Sequence, residues 1–127
     1  MKHEISRLPY TDVALCAPVT VPYERYSIRS AHWFFARALA SLLDKAGLDK
    51  RAIDGFCISS FTLAPDSAVG LTQHLGVSPR WLDDIPFGGG NGVVALRRAA
   101  RAVQCGDAAW VACIAADTHQ VDSFRST

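Results

Sequence analysis

Ile85-Pro86-Phe87-Gly88-Gly89-Gly90-Asn91-Gly92-Val93-Val94-Ala95-Leu96 is the stretch that decides how this chain is read. A short apolar run ends in a glycine-dense turn, and the turn opens directly into a helical pattern. Four glycines in five positions give the backbone access to φ > 0 and keep side chains out of the way of a ligand or another chain. Asn91 is the expected N-cap of the helix that follows. Free N–H groups at a helix start attract anions, phosphate or a developing oxyanion. The same composition equally fits a tight strand-to-helix turn whose glycines serve close packing.

The rest of the chain sets the bounds. Its 127 residues match one domain with room for a core. Half are hydrophobic and a fifth charged, an ordinary balance for a globular protein. A formal charge of +1 gives no generic attraction to nucleic acid or an anionic membrane, so neither is expected as a partner. Met1-Lys2-His3-Glu4 does not begin a signal peptide, and no apolar run approaches the length of a membrane span. Cys16, Cys57, Cys105 and Cys113 lie in apolar segments without paired or metal-type spacing. They read as buried free thiols, and the expected location is cytoplasmic.

Outward from the glycine turn, the pattern alternates. Residues 1–11 are a polar lead-in. Asp12 to Thr20 is an apolar run of strand length, ending near Pro18. Pro22 to Arg29 is a loop centred on Tyr23 and Tyr26. Ser30 to Ala46 reads as a helix capped by Ser30 and stopped at Gly47, with Arg37, Ser41, Asp44 and Lys45 as its polar stripe. Trp33, Phe34 and Phe35 predict burial on more than one side. Ile53 to Phe61 is a second strand. A helix capped by Asp66 or Ser67 runs to Leu75 and stops at Gly76. Arg80 to Phe87 is a third strand, weakened by Asp83 and Asp84. The helix after the glycine turn spans Gly92 to Gln104, and Ala108 to Ala116 is the fourth strand. Residues 117–127 form a polar tail. The order βαβαβαβ predicts an α/β fold with a mostly parallel sheet covered by helices.

Several chemistries are poorly matched. Gly88, Gly90 and Gly92 with Asp117 suggest a dinucleotide site, but the spacing is G-x-G-x-G and the preceding strand carries two aspartates and a proline. No phosphate loop of the G-x-x-x-x-G-K-[ST] type is present. His3, His32, His74, His119 and the cysteines show no metal-ligand spacing, so no metal is expected. Asp83 and Asp84 are adjacent and point to opposite faces of a strand, so they do not form a catalytic pair. Arg97, Arg98, Arg101 and Gln104 make a polar stripe on the last helix. It reads as a solvated face, or as a contact for a coenzyme A phosphate or a partner carboxylate.

Taken together, the segments resemble a family. Ala46-Gly47-Leu48 with Ile53-Asp54-Gly55-Phe56 looks like the first-helix exit of thiolase-superfamily proteins. Gly88 to Gly92, the helix ending Gln104-Cys105-Gly106-Asp107-Ala108, and the run Trp110 to Ala116 resemble the nucleophile loop, central helix and next strand. The likeness runs from about Asp12 to Phe124 and covers the N-terminal half of such a protein. It is strongest toward lipid-transfer-protein or sterol-carrier thiolases and their thiolase-like aldolase relatives.

What the resemblance implies depends on two departures. Thiolases carry an acyl-accepting cysteine in the glycine loop, where a helix N-terminus lowers its pKa. Counting back from Gly106-Asp107, the matching position here is Gly89, which has no nucleophile. The resemblance therefore favours the branch that cleaves a C–C bond of an acyl-CoA by retro-aldol chemistry, often beside a small OB-fold subunit. A thiolase-family acyltransferase fragment, or a non-catalytic acyl-CoA or protein-binding module, is the alternative. In either case a coenzyme A thioester is the substrate and no cofactor is expected. Gly88, Gly90, Asn91, Gly92 and Val93 are the candidate substrate-binding residues, with the Asn91–Val93 N–H groups aimed at the thioester carbonyl. The second departure is length. The likeness ends at the fourth strand of the first half, which implies an incomplete domain over 1–127, catalytically incompetent alone. It also implies an uncovered last strand and helix, and association as a homodimer or with a complementary chain.

Overall fold

Phe56 and Ile58 point to one side of a central strand and Cys57 to the other, and this alternation sorts the helices into layers. The computed structural model describes residues 8–25, 27–85 and 88–118. Its elements are α1 (Ala31–Ala46), β1 (Gly55–Ser59), α2 (Ala68–Leu75), β2 (Trp81–Asp84), α3 (Asn91–Gln104) and β3 (Val111–Ala115), with short 3₁₀ turns at Lys50–Ala52 and Gly88–Gly90. The strands form one parallel sheet in the order β2-β1-β3. In register, Gly55 faces Trp81 and Val111, and Cys57 faces Asp83 and Cys113.

The helices α1 and α2 cover one face, where Phe35, Phe56, Ile58 and Leu71 are fully buried. The helix α3 covers the other through Ala95 against Cys57 and Ile85. Truncating a buried phenylalanine such as Phe56 costs about 3–5 kcal/mol in cores of this kind. The predicted caps are present. Ser30 accepts from the Trp33 N–H and Ser67 from the Gly70 N–H, while Gly47 and Gly76 close α1 and α2 in left-handed conformation. Arg37, Ser41, Asp44 and Lys45 are exposed as expected. Of the three aromatics only Phe35 is fully buried; Trp33 and Phe34 are half-buried, edge to face, with Arg29 stacked 4.0 Å above Trp33.

One strand is absent. The run Asp12–Thr20 is extended coil, and the observed order is αβαβαβ rather than βαβαβαβ. Asp12 and Ala17 take positive φ, which breaks a ladder on both sides, and Pro18 has no N–H to give one. Leu15 is 77% exposed, and the segment is held by Lys45 Nζ donating to the Pro18 carbonyl at 2.6 Å. Apolar composition alone does not supply a pairing partner. Nor are residues 8–11 loose, since they are tied to α3. Arg101 donates to the carbonyls of Leu8 and Pro9, Gln104 to Pro9 and Thr11, and Arg97 Nε to the Tyr10 hydroxyl. Tyr26, Pro86, Phe87, residues 1–7 and residues 119–127 of the predicted tail lie outside the described residues.

At the amino ends of β1 and β3, Asp54 locks their register by accepting from the Ala109 and Trp110 N–H groups at 2.8–3.0 Å. Burial pushes this carboxyl up, but the two N–H donors outweigh it and hold its pKa below the ordinary range. Among the described residues, the outer edge of β3 has no ladder partner, and Trp110 beside it is 44% exposed.

Candidate functional site

The connection leaving β1 passes to α2 on one face of the sheet, and the connection leaving β2 passes to α3 on the other. Two neighbouring parallel strands whose exits diverge in this way open a crevice at their carboxyl ends, where ligands bind in open α/β sheets. The glycine turn forms one wall of the crevice and Ser60–Ser67 the other. The walls meet where a Cβ on Gly88 would lie 3.8 Å from the Phe61 ring.

The turn is a single 3₁₀ turn over Gly88–Gly90 that feeds α3. Its glycines differ in what they are needed for. Gly88 has φ 73°, a conformation that strains any other L-residue. Gly89, Gly90 and Gly92 have no such backbone, and a Cβ on any of them would meet nothing within 4 Å. Close packing against the described residues therefore does not account for those three. Val93 beside them is 67% exposed.

Asn91 is not the N-cap. That position belongs to Gly90, which has no side chain to offer, and Asn91 is the first helical residue. Its buried amide Nδ2 instead donates to Ser59 Oγ at the end of β1. The tie fixes α3 to the central strand and leaves the N-terminus of α3 without a side-chain cap, unlike α1 and α2. In an α-helix the first-turn N–H groups have no intrahelical partner, so the Gly92 and Val93 N–H groups at the start of α3 face the side from which the glycine turn enters.

Asp117 has a structural partner set of its own. Its Oδ1 accepts from Ser60 Oγ, the Phe61 N–H, the Thr62 N–H and Thr62 Oγ1 at 2.7–3.0 Å. Thr118 extends this knot, its N–H donating to Thr62 Oγ1 and its hydroxyl to the Arg29 carbonyl. The wall opposite the glycine turn is thus shaped from the end of β3. It leaves Phe61 63% exposed at the lip.

A second cluster joins the start of α1, the residues just before α2 and the last turn of α2. His32 Nε2 and Asp66 Oδ2 are 2.6 Å apart, and the His74 ring meets His32 edge-on at 5.3 Å. The His32 hydrogen bond, helped by the Ser67 N–H, holds the Asp66 carboxyl below its ordinary pKa. Among the described residues, no group of three His, Cys, Asp or Glu side chains is arranged to hold a metal ion.

The basic stripe is solvent-facing, as expected, with Arg97 and Arg98 exposed, but its guanidiniums are engaged with neighbouring groups. Arg98 pairs with Asp83 at 3.0 Å, and Arg101 lies 3.8 Å over the Tyr10 ring. With Tyr10 and Trp81 these side chains line an open cleft of about 640 Å³ along α3, apart from the glycine turn. The Arg97 guanidinium holds the Tyr10 hydroxyl below the usual phenol range. Of the four cysteines only Cys57 is fully buried; Cys113 is half-buried, and Cys16 and Cys105 are exposed.

Sequence reasoning found the glycine turn and missed what surrounds it. The two hydroxyl residues Ser60 and Thr62 after one strand and an aspartate after another were the visible signs of the Asp117 knot. Nothing local marks Ser59 as the partner of Asn91, 32 residues away.

This architecture is a thiolase-like α/β fold. No protein-family model and no curated protein matches the chain. Among solved structures it is similar to a cysteine-to-serine variant of OleA from Xanthomonas campestris, determined with bound lauric acid and lauroyl-CoA. The TM-score is 0.66 at 18% sequence identity, over 78% of this chain and 31% of that one. The chain thus spans about a third of the protein it matches.

Proposed function

We propose that this chain forms the N-terminal part of a thiolase-like enzyme acting on an acyl-CoA, with the thioester carbonyl seated against the first turn of α3. The observation that carries the reading is the glycine turn at the start of α3, where a Cβ on Gly89, Gly90 or Gly92 would meet no described residue within 4 Å. The Gly92 and Val93 N–H groups would polarise the carbonyl by preorganised hydrogen bonding and the helix dipole. The OleA likeness supports the choice of ligand, since that protein was determined with lauroyl-CoA.

With Gly89 at the family's nucleophile position, a cysteinyl thioester has no place to form. Stabilising the enolate released when a C–C bond breaks needs the same N–H groups and no nucleophile, so retro-aldol cleavage is the reaction favoured over acyl transfer. The remaining catalysts would come from a complementary chain or half, with a second copy or an OB-fold subunit as the expected associates.

A thermal-shift titration with lauroyl-CoA and other acyl-CoAs, paired with light scattering on the same samples, tests the binding. A saturable rise in melting temperature with acyl-CoA, absent with free coenzyme A, is expected. No response to any acyl-CoA would overturn the reading. For the reaction, a 3-hydroxyacyl-CoA should yield a carbonyl product in the complete assembly, and turnover should survive cysteine alkylation. Its loss on alkylation would point to acyl transfer instead.

A further inference from the structure

The sheet brings together two thiols that the proposed chemistry does not use. Cys57 on β1 and Cys113 on β3 are direct partners in the parallel ladder, on the face covered by α3. We propose that Cys57 and Cys113 form a reversible, hydroperoxide-driven disulfide, making this strand pair a redox modification site.

Three features carry the assignment. Neighbouring strands lie about 4.7–4.9 Å apart, inside the Cα separation that a disulfide spans. Their side chains stand parallel rather than converging, so the bond forms under strain and is readily reduced, as in labile rather than structural disulfides. The two thiols also have unequal roles. Cys57 is fully buried, whereas Cys113 is half-buried on an edge strand and can be reached by a small oxidant. The nearness of the two sulfurs pushes the Cys57 thiol up, with burial adding to the rise, and holds Cys113 below the ordinary thiol range against its own burial, while the Cys113 Sγ itself lies 4.0 Å from the Ala95 carbonyl. Cys113 is therefore the attacking sulfur and Cys57 the resolving one.

The step balances. The Cys113 thiolate attacks one peroxide oxygen and breaks the O–O bond, giving a sulfenic acid and a hydroxide that takes the Cys57 proton as water. The Cys57 thiolate then attacks the Cys113 sulfur and displaces hydroxide, which takes up the proton that Cys113 gave to solvent on ionising and leaves as a second water. Two thiols lose two electrons in total, and one hydrogen peroxide is reduced. The exposed Cys16 and Cys105 face no cysteine across a ladder and serve as internal controls.

The test is to treat the reduced, folded protein with hydrogen peroxide, alkylate it in denaturant, and map peptides without reduction. The expected result is a Cys57–Cys113 linked peptide, a mass loss of about 2 Da, and recovery of both thiols with dithiothreitol. Cys57→Ala should abolish the link and leave Cys113 as a sulfenic acid trapped by dimedone. Should that core variant fail to fold, Cys113→Ser should abolish the link and leave Cys57 unmodified. Oxidation confined to Cys16 and Cys105 would overturn the proposal. So would an equal yield of the link from chain unfolded in guanidinium before peroxide is added.

Discussion

Gly92→Ala should make this protein more stable and its crevice less useful. Gly92 is the second residue of α3, its φ is not in the left-handed region, and a Cβ there meets nothing within 4 Å. Alanine is favoured over glycine inside a helix by about 0.5–1 kcal/mol, partly because the unfolded chain loses freedom. For a domain of this size that is a rise in melting temperature of roughly 2–4 °C. Gly70 is a matched control, sitting in the first turn of α2. There a Cβ would fall 1.9 Å from Asp66 Oδ1, the carboxylate tied to His32 and the Ser67 N–H. Alanine at 70 must displace that carboxylate, so the helix gain is cancelled and the melting temperature stays at or below the parent's.

The ligand arm runs the other way. A Cα–Cβ bond tilts toward the helix N-terminus, so a methyl at position 92 leans toward the space in front of the first turn. That space is where the thioester carbonyl is placed. Gly92→Ala should therefore melt higher alone and show a smaller acyl-CoA shift than the parent. Thermal melts by circular dichroism, with and without lauroyl-CoA, read both arms. A lower melting temperature for Gly92→Ala would refute the claim that the glycine is unneeded by the fold. An undiminished acyl-CoA shift would separate the bare glycines from ligand binding.

Two further outcomes follow from single carboxylates. Asp117→Ala removes one acceptor from four donors in the Ser60–Thr62 loop and should cost about 2 kcal/mol, or roughly 7 °C in melting temperature, with faster amide exchange at Phe61 and Thr62; a shift within error would show that the knot is not stabilising. Asp54 has a depressed folded pKa, so its contribution is present above the unfolded carboxylate value of about 4 and disappears as pH falls through the lower folded value. Urea midpoints of parent and Asp54→Asn should differ at pH 7 and converge well below pH 4, and a constant gap would contradict the assigned cause.

Legibility followed distance along the chain. Ser30, Gly47, Ser67 and Gly76 each act within a few residues of themselves, and their helices were readable because a cap is a local device. The strands β1 and β3 were readable as continuous apolar runs, β1 being buried on both faces, whereas β2 ends in Asp83 and Asp84 and was legible mainly from its place between two helices. Asp12–Thr20 has the same composition and is not a strand, because pairing depends on a free sheet edge and a compatible backbone rather than on hydrophobicity. Asn91 shows the same limit at the site. A capping residue and a buried tether have the same identity, and only the position of Ser59 in the fold distinguishes them.

The basic stripe tests whether the candidate site has been put in the right place. Arg97, Arg98 and Arg101 would suit a phosphate, and the cleft they line has the volume for one. Their guanidiniums are already engaged, with the Tyr10 hydroxyl and ring, Asp83, and the Leu8 and Pro9 carbonyls. An incoming phosphate would have to displace the 8–11 segment and break several charge-assisted hydrogen bonds, each worth about 1.5–3 kcal/mol. At the start of α3 the N-cap Gly90 brings no side chain, and a Cβ on Gly89, Gly90 or Gly92 would meet no described residue within 4 Å. Anionic or carbonyl ligands therefore meet less opposition at the glycine turn than at the arginines, although the arginines carry the formal charge.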